Sequence, residues 1–285
     1  MSYQQYSPNK FTLLPLVVKN LLIINGLFYL ATLALNTQFE SNLSDSLGLH
    51  YPFSEKFHAY QLITYLFMHG SFWHLFFNMF ALWMFGNTLE NTWGPKRFLI
   101  YYLICGIGAA LCHYTVVYFQ NQPTLDFINN YIANPNLQQF QFFLKSDYFK
   151  ASSQEILDHY NAIIPTSYSN AISSNNVQEA LRISVDYMNI YKTDFLNAPV
   201  VIGASGSVFG ILLAFGMLFP NTLLYIYFAI PIKAKWFVIL YGAAELYSGI
   251  MATEGDNVAH FAHLGGMLFG FILIKYWQKN KKNFY

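Results

Sequence analysis

The sequence predicts an all-α, polytopic membrane protein: a bundle of six transmembrane helices with a helical insert between the third and fourth. Three observations carry this. The chain is 55% hydrophobic and only 10% charged, whereas a water-soluble domain carries about a quarter charged residues. Its apolar residues are clumped into long runs of membrane-spanning length. Its positive charges are sorted to one side of those runs. The formal net charge of +1 argues against a nucleic-acid partner, which calls for a basic surface. The expected partner is the lipid bilayer itself.

The first run, 17–36, is long enough to span, and no small-residue cleavage site follows it, so it reads as a helix and not as a signal peptide. The connection 37–66 is polar and aromatic, and Tyr51-Pro52-Phe53 with Phe57 suggests a segment seated at the membrane interface. The second run, 67–86, opens with His74 and Asn78. The third, 97–119, carries Cys105 and Cys112 seven apart on one face, a spacing that reads as helix packing. The fourth, 203–220, opens with Gly203-Ala204-Ser205-Gly206. The fifth, 235–250, is the shortest, and the sixth, 258–278, holds His263.

Residues 120–199 break the pattern, with seven acidic and four basic residues among many Asn, Gln and Ser. Ser152-Ser153-Gln154-Glu155 reads as a capping box ahead of Ile156, Tyr160 and Ile163 at helical spacing. Asn176 with Glu179 caps a second predicted helix whose apolar face holds Val177, Leu181, Val185 and Met188. The expected organisation is therefore 1–119 as the first part of the membrane core, 120–199 as the insert, and 200–285 as the rest of the core with a tail. With the N-terminus inside, the short inside segments hold Lys10, Lys19, Lys96, Arg97, Lys233, Lys235, Lys275, Lys279, Lys281 and Lys282, and the short outside loops hold only Lys56. Both termini are thus expected in the cytoplasm and the insert outside it. Abundant Asn, Ile, Phe, Tyr and Lys hint at an AT-rich bacterial genome, so the expected location is a bacterial plasma membrane. Nothing in the sequence fixes an oligomeric state.

Three elements could carry chemistry. Ser205 falls in the first turn of the fourth span, where free backbone N–H groups and the helix dipole favour a developing oxyanion. Gly203 and Gly206 leave its surroundings open, although a Gly-Ala-Ser cluster also serves simple helix packing. His263 is an ionisable residue within a span, a functional hypothesis by default. Gly266 and Gly270 follow it on the same face, so that face could press against the fourth span and bring the imidazole to Ser205. His74 and Asn78, four residues apart on one helix face, offer two hydrogen-bond donors suited to an oxyanion site. His260 and His263 could begin a metal site, but no third ligand stands at metal-binding spacing and H-E-x-x-H is absent.

Taken together, these elements resemble the rhomboid family of intramembrane serine proteases. The likeness rests on Gly203-Ala204-Ser205-Gly206 in the fourth span, His74-x-x-x-Asn78 in the second, and Ala262-His263-Leu264-Gly265-Gly266 with Gly270 in the sixth, and it covers roughly 15–119 and 200–278. The resemblance implies peptide-bond hydrolysis by a Ser205–His263 dyad with no carboxylate third member. The Ser205 N–H, His74 and Asn78 would hold the oxyanion. Substrates would be transmembrane segments of other proteins, and neither a metal nor an organic cofactor is implied. The chain departs from the family pattern at Tyr60-Gln61, where many members have Trp-Arg, and at Phe209, where some have a tyrosine against the histidine ring; Phe209 can stack but not donate. Two other readings fit less well: a catalytically silent relative that binds membrane proteins, and a channel or transporter using His74, His260, His263 and Glu245 as a polar path. Ser205 and His263 are both present, against the first, and pseudo-symmetric halves are lacking, against the second.

Overall fold

The computed structural model describes residues 11–39, 43–226, 229–251 and 259–280. Lys10, Lys281 and Lys282 of the charge argument lie outside the described residues. The chain divides into two compact units, one of Met1–Leu47, Leu62–His113 and Ile202–Tyr285, the other of Gly48–Gln61 and Tyr114–Val201.

The first unit begins with α1 (Leu16–Phe39) and a short α2 (Leu43–Leu47). The start of α1 leaves backbone donors unpaired, and the buried carboxylate of Glu90 takes two of them, from Val17 at 2.9 Å and Val18 at 2.8 Å. After α3 (Gln61–Thr64) and a 3₁₀ turn at Tyr65–Phe67, the second predicted span appears in three pieces: α4 (Phe72–Ala81), a π-helical turn at Leu82–Gly86, and α5 (Asn87–Trp93). One extra residue per turn in a π segment re-aims the faces on either side of it. That is why this stretch is not one regular α-helix.

The third predicted span is longer than the sequence indicated. Helix α6 runs from Pro95 to Ala133, past the expected end at 119, with Pro123 inside it. The reading stopped where apolar residues gave way to polar ones, but a helix only needs its backbone bonds, and it continues into the second unit. Helix α11 (Ser205–Leu218), a hairpin of β3 (Leu223–Ile226) and β4 (Ile230–Lys233), α12 (Ala234–Met251) and α13 (His260–Asn280) complete the first unit. Leu16–Thr37 and Pro95–Ala133 are long and apolar enough to cross a membrane, and Ser205–Leu218 is apolar but shorter. Lys235 and Glu245 in α12, and His260, His263, Lys275 and Lys279 in α13, dilute the apolar character of those two helices.

Glycine and cysteine set the packing of α6, α11 and α13. A Cβ at Gly266 would overlap the Gly206 carbonyl, so α11 and α13 meet backbone to backbone. Cys105 is buried against Gly210, and Cys112 lies against Gly265; both thiols are free, in line with the packing role read from their spacing.

The second unit has its own core. α6 contributes Ile128 and Tyr131, α7 (Leu137–Lys145) Phe140 and Phe143, α8 (Gln154–Ala162) Ile156, and α10 (Val177–Asn197) Tyr187 and Tyr191; a π-helical turn at Ile163–Tyr168 and α9 (Ser169–Ser173) lie between α8 and α10. Residues 48–61 join this unit because β1 (Leu49–His50) pairs antiparallel with β2 (Val200–Val201), and Ser54 donates to Asn197 Oδ1 at 2.6 Å. Asn176 caps α10 as expected, accepting from Glu179 N. Two expectations need correction. The N-cap of α8 is Ser153 and not Ser152: its side chain accepts from the Ile156 N–H, so Glu155 sits one place too early to close a capping box with it. Of the expected apolar face of α10, Met188 is buried but Val177 is 51% exposed, and the buried face is centred on Ala180, Ser184, Tyr187 and Tyr191. Large aromatic rings fill this core better than the aliphatic positions did, which rotates the stripe.

Candidate active site

Helix α11 begins at Ser205, and its preceding residue, Ala204, has no side chain able to cap it. The first-turn N–H groups are therefore left for another acceptor. Gly203 reaches this helix at φ = +121°, a conformation glycine adopts without the penalty of a Cβ. Its N–H donates to the Tyr65 carbonyl at 2.9 Å. A Cβ here would come within 2.8 Å of the His74 ring, so the imidazole lies directly over Gly203, two residues before Ser205.

His74 is fixed by its own helix start. Ser71 caps α4, accepting from the His74 backbone N–H at 3.1 Å, and the His74 ring meets His69 edge-on at 4.9 Å. Asn78 is buried one turn later and donates to the His74 carbonyl at 3.0 Å. His69, only 2% exposed, was not singled out in the sequence because it precedes the helix and shares no period with His74.

The structure brings Ser205 and His263 together. Ser205 Oγ lies 2.9 Å from His263 Nε2, across a sequence separation of 58 residues. Phe209 stacks on the imidazole with ring centroids 4.1 Å apart and planes 7° from parallel, as the sequence reading allowed. Gly206 and Gly266 supply the close approach, and Gly270 makes room for Tyr101, whose hydroxyl donates to the Gly210 carbonyl at 2.7 Å. Ser207, two residues after Ser205 in α11, is fully buried and donates to the Tyr102 carbonyl at 2.7 Å.

The far side of the imidazole holds a residue that the motif reading did not include. Glu245 Oε2 accepts from His263 Nδ1 at 2.8 Å and from His260 Nδ1 at 2.6 Å. An ionised carboxylate can only accept, so Nδ1 of His263 carries the proton and Nε2 presents its lone pair to the Ser205 hydroxyl. Glu245 stands in the fifth predicted span, and a lone carboxylate within an apolar run was the available signal. It also supplies the third donor atom that sequence spacing had not joined to His260 and His263, all within 4.8 Å of one another. A tetrahedral zinc with bonds of about 2.0–2.2 Å would hold its donors roughly 3.3 Å apart. Separations of 2.6 and 2.8 Å instead fit direct hydrogen bonds.

In the second unit, the Tyr60-Gln61 departure has a clear local role. Gln61 is buried, accepts from the His58 N–H at 3.0 Å and donates to the Lys56 carbonyl at 3.0 Å, closing the turn before α3.

A helical fold with glycine-mediated helix contacts thus holds a serine at an uncapped helix start within hydrogen-bond reach of a histidine. A family model described as the Rhomboid domain matches residues 56–125 and 172–279, more than half of the chain. The chain belongs to the rhomboid family and is a multi-pass membrane protein. It is 28% identical over 107 residues to Rhomboid-like protease 1 of Toxoplasma gondii, covering 36% of each chain. It is 36% identical over 55 residues to Rhomboid protease GluP of Bacillus subtilis, covering 19% of this chain and 11% of that protein. The matched stretches thus span well under two thirds of either relative.

Proposed function

We propose that this chain is an intramembrane serine endopeptidase that cuts other membrane proteins in or near their transmembrane segments. The observation that carries the reading is the 2.9 Å contact between Ser205 Oγ and His263 Nε2 under the Phe209 ring. In this reading six spans form the core, both termini are cytoplasmic, the 120–199 insert is extracytoplasmic, and the membrane is a bacterial plasma membrane. The relatives' printed names, both proteases, support the activity.

His263 takes the Ser205 proton as Oγ attacks the scissile carbonyl carbon, and the carbonyl electron pair moves onto oxygen. The Ser205 N–H at the start of α11, with His74 and Asn78, receives that oxyanion. His263 then protonates the leaving amine, and water repeats the sequence on the acyl-enzyme. The bilayer keeps bulk water away, and the uncapped helix start offers its donors without further reorganisation.

The test is labelling of the purified protein by a fluorophosphonate, alongside cleavage of a single-pass membrane substrate. Wild type is labelled and cuts. Ser205→Ala and His263→Ala each accumulate in the membrane and abolish both, and the double variant is no worse than either, because the two groups act as a unit. Normal turnover by either single variant overturns the reading. Absent labelling of a folded wild type favours a silent binder.

A further inference from the structure

Glu245 is a carboxylate placed in the middle of α12 among residues that face outward from the protein. Leu246, Tyr247 and Ile250 are 47%, 66% and 65% exposed, whereas Glu245 is 7% exposed. Burying a charge in an apolar helix is costly unless it is paired and hydrogen-bonded. Here both bonds converge on one oxygen, from His260 and His263 of α13. Packing does not require this, since α12 already meets α13 where Gly242 faces Met267 and Gly249 faces Phe261.

The Phe209 stack explains what the carboxylate adds. A stack fixes the plane of the imidazole but is indifferent to a half-turn about the Cβ–Cγ bond. That half-turn would present carbon, in place of Nε2, to Ser205. A hydrogen bond at Nδ1 distinguishes the two orientations, and an acceptor-only partner also fixes the tautomer. Resting on the Ser205–His263 reading above, we propose that Glu245 is a positioning residue that completes a Ser205–His263–Glu245 triad, with His260 holding the carboxylate in register. The Ser205 O–H bond breaks as its proton moves to His263 Nε2. Glu245 stays ionised, orients the ring and offsets the positive charge that develops on it. The proton later leaves on the departing amine, and the carboxylate returns to its starting state. Its action is through His263, and it touches no reacting atom.

Full-length protein in detergent or proteoliposomes, carrying Glu245→Gln, Glu245→Asp or His260→Gln, separates this role from packing. Three readouts apply: fluorophosphonate labelling rate, kcat and KM on a single-pass substrate, and melting temperature. Glu245→Gln keeps the shape and loses the charge, so kcat and labelling rate fall by at least about 100-fold while KM stays within about twofold. Glu245→Asp keeps the charge in a poorer shape and retains more activity than Glu245→Gln. His260→Gln removes one bond to the carboxylate and lowers kcat about tenfold. A structural role predicts the reverse order, with the isosteric Gln better than Asp and activity tracking melting temperature; that result overturns the proposal. So does wild-type kcat in Glu245→Gln or, should the Glu245 variants fail to accumulate, in a folded His260→Gln. Failure of the underlying protease reading looks different: wild type itself is then unlabelled, or Ser205→Ala still cuts.

Discussion

Single atoms decide the geometry around Ser205. Gly203 carries two constraints at once, a positive φ of +121° and a His74 ring 2.8 Å from where a Cβ would sit. Gly203→Ala therefore strains the backbone by about 1–2 kcal/mol and pushes either the ring or the serine turn aside. Displacement of about 1 Å at a reacting group costs on the order of 100-fold, so the fluorophosphonate labelling rate of Gly203→Ala should fall to that extent. A labelling rate within twofold of wild type would show that the His74 ring is free to move away. For the oxyanion groups, His74→Ala and Asn78→Ala should each lower kcat by about 100- to 1,000-fold, the usual loss for one such donor. Asn78 already donates to the His74 carbonyl, so its variant also loosens His74 itself. If both single variants and the double variant cut like wild type, these side chains only support α4.

Between helices, the controlling feature is the absence of side chains along α11 and α13. A methyl group at Gly266 has no space against Gly206, whereas one at Gly26 in α1 meets nothing within 4 Å. Gly266→Ala should separate α11 from α13, break the Ser205–His263 contact and lower melting temperature and labelling together. Gly26→Ala is the matched control: it should leave labelling unchanged and raise melting temperature slightly, since alanine in a helix interior is favoured over glycine by about 0.5–1 kcal/mol. Equal behaviour of the two variants would mean that the α11–α13 contact tolerates expansion. The same close packing explains why Cys105, facing Gly210, is a buried thiol without a redox partner among the described residues.

For the molecule as a whole, the two units rest on different physics. The first exposes large apolar side chains along its helices, as Phe72, Trp73 and Phe77 of α4 do at 55%, 63% and 63%, which suits a lipid surroundings. The second has an enclosed aromatic core of its own. Burial pushes Tyr191 up to about 12 from 10.0, and it raises Tyr168 and Tyr187 as well. A folded-state value above the unfolded one means that the neutral phenols contribute stability below about pH 10 and lose it as pH rises toward the folded values. The second unit should therefore hold its near-ultraviolet signal at about pH 9 and lose it cooperatively between about pH 10 and 12, with tyrosinate absorbance rising in step. Tyrosinate formation at the ordinary phenol value with no loss of signal would show that this core admits water.

The sequence by itself determined the family and singled out the candidate site residues. Long apolar runs, Gly203-Ala204-Ser205-Gly206, His74-x-x-x-Asn78 and the His263 glycines are local patterns, and local patterns survive in one dimension. The cap at Asn176 was legible for the same reason. Only the tertiary structure decided what lies across from each of them. Glu245 reaches His263 across a separation of 18 residues and two helices. Residues 48–61 join 114–201 through the β1–β2 pairing of Leu49 with Val201 and His50 with Val200, far apart in the sequence. The length of α6 and the rotated face of α10 likewise depend on the core they help to fill. Periodicity reports which residues share a face. Which face meets which, and therefore which acceptor meets His263 Nδ1, is set by packing between elements that the linear order does not encode.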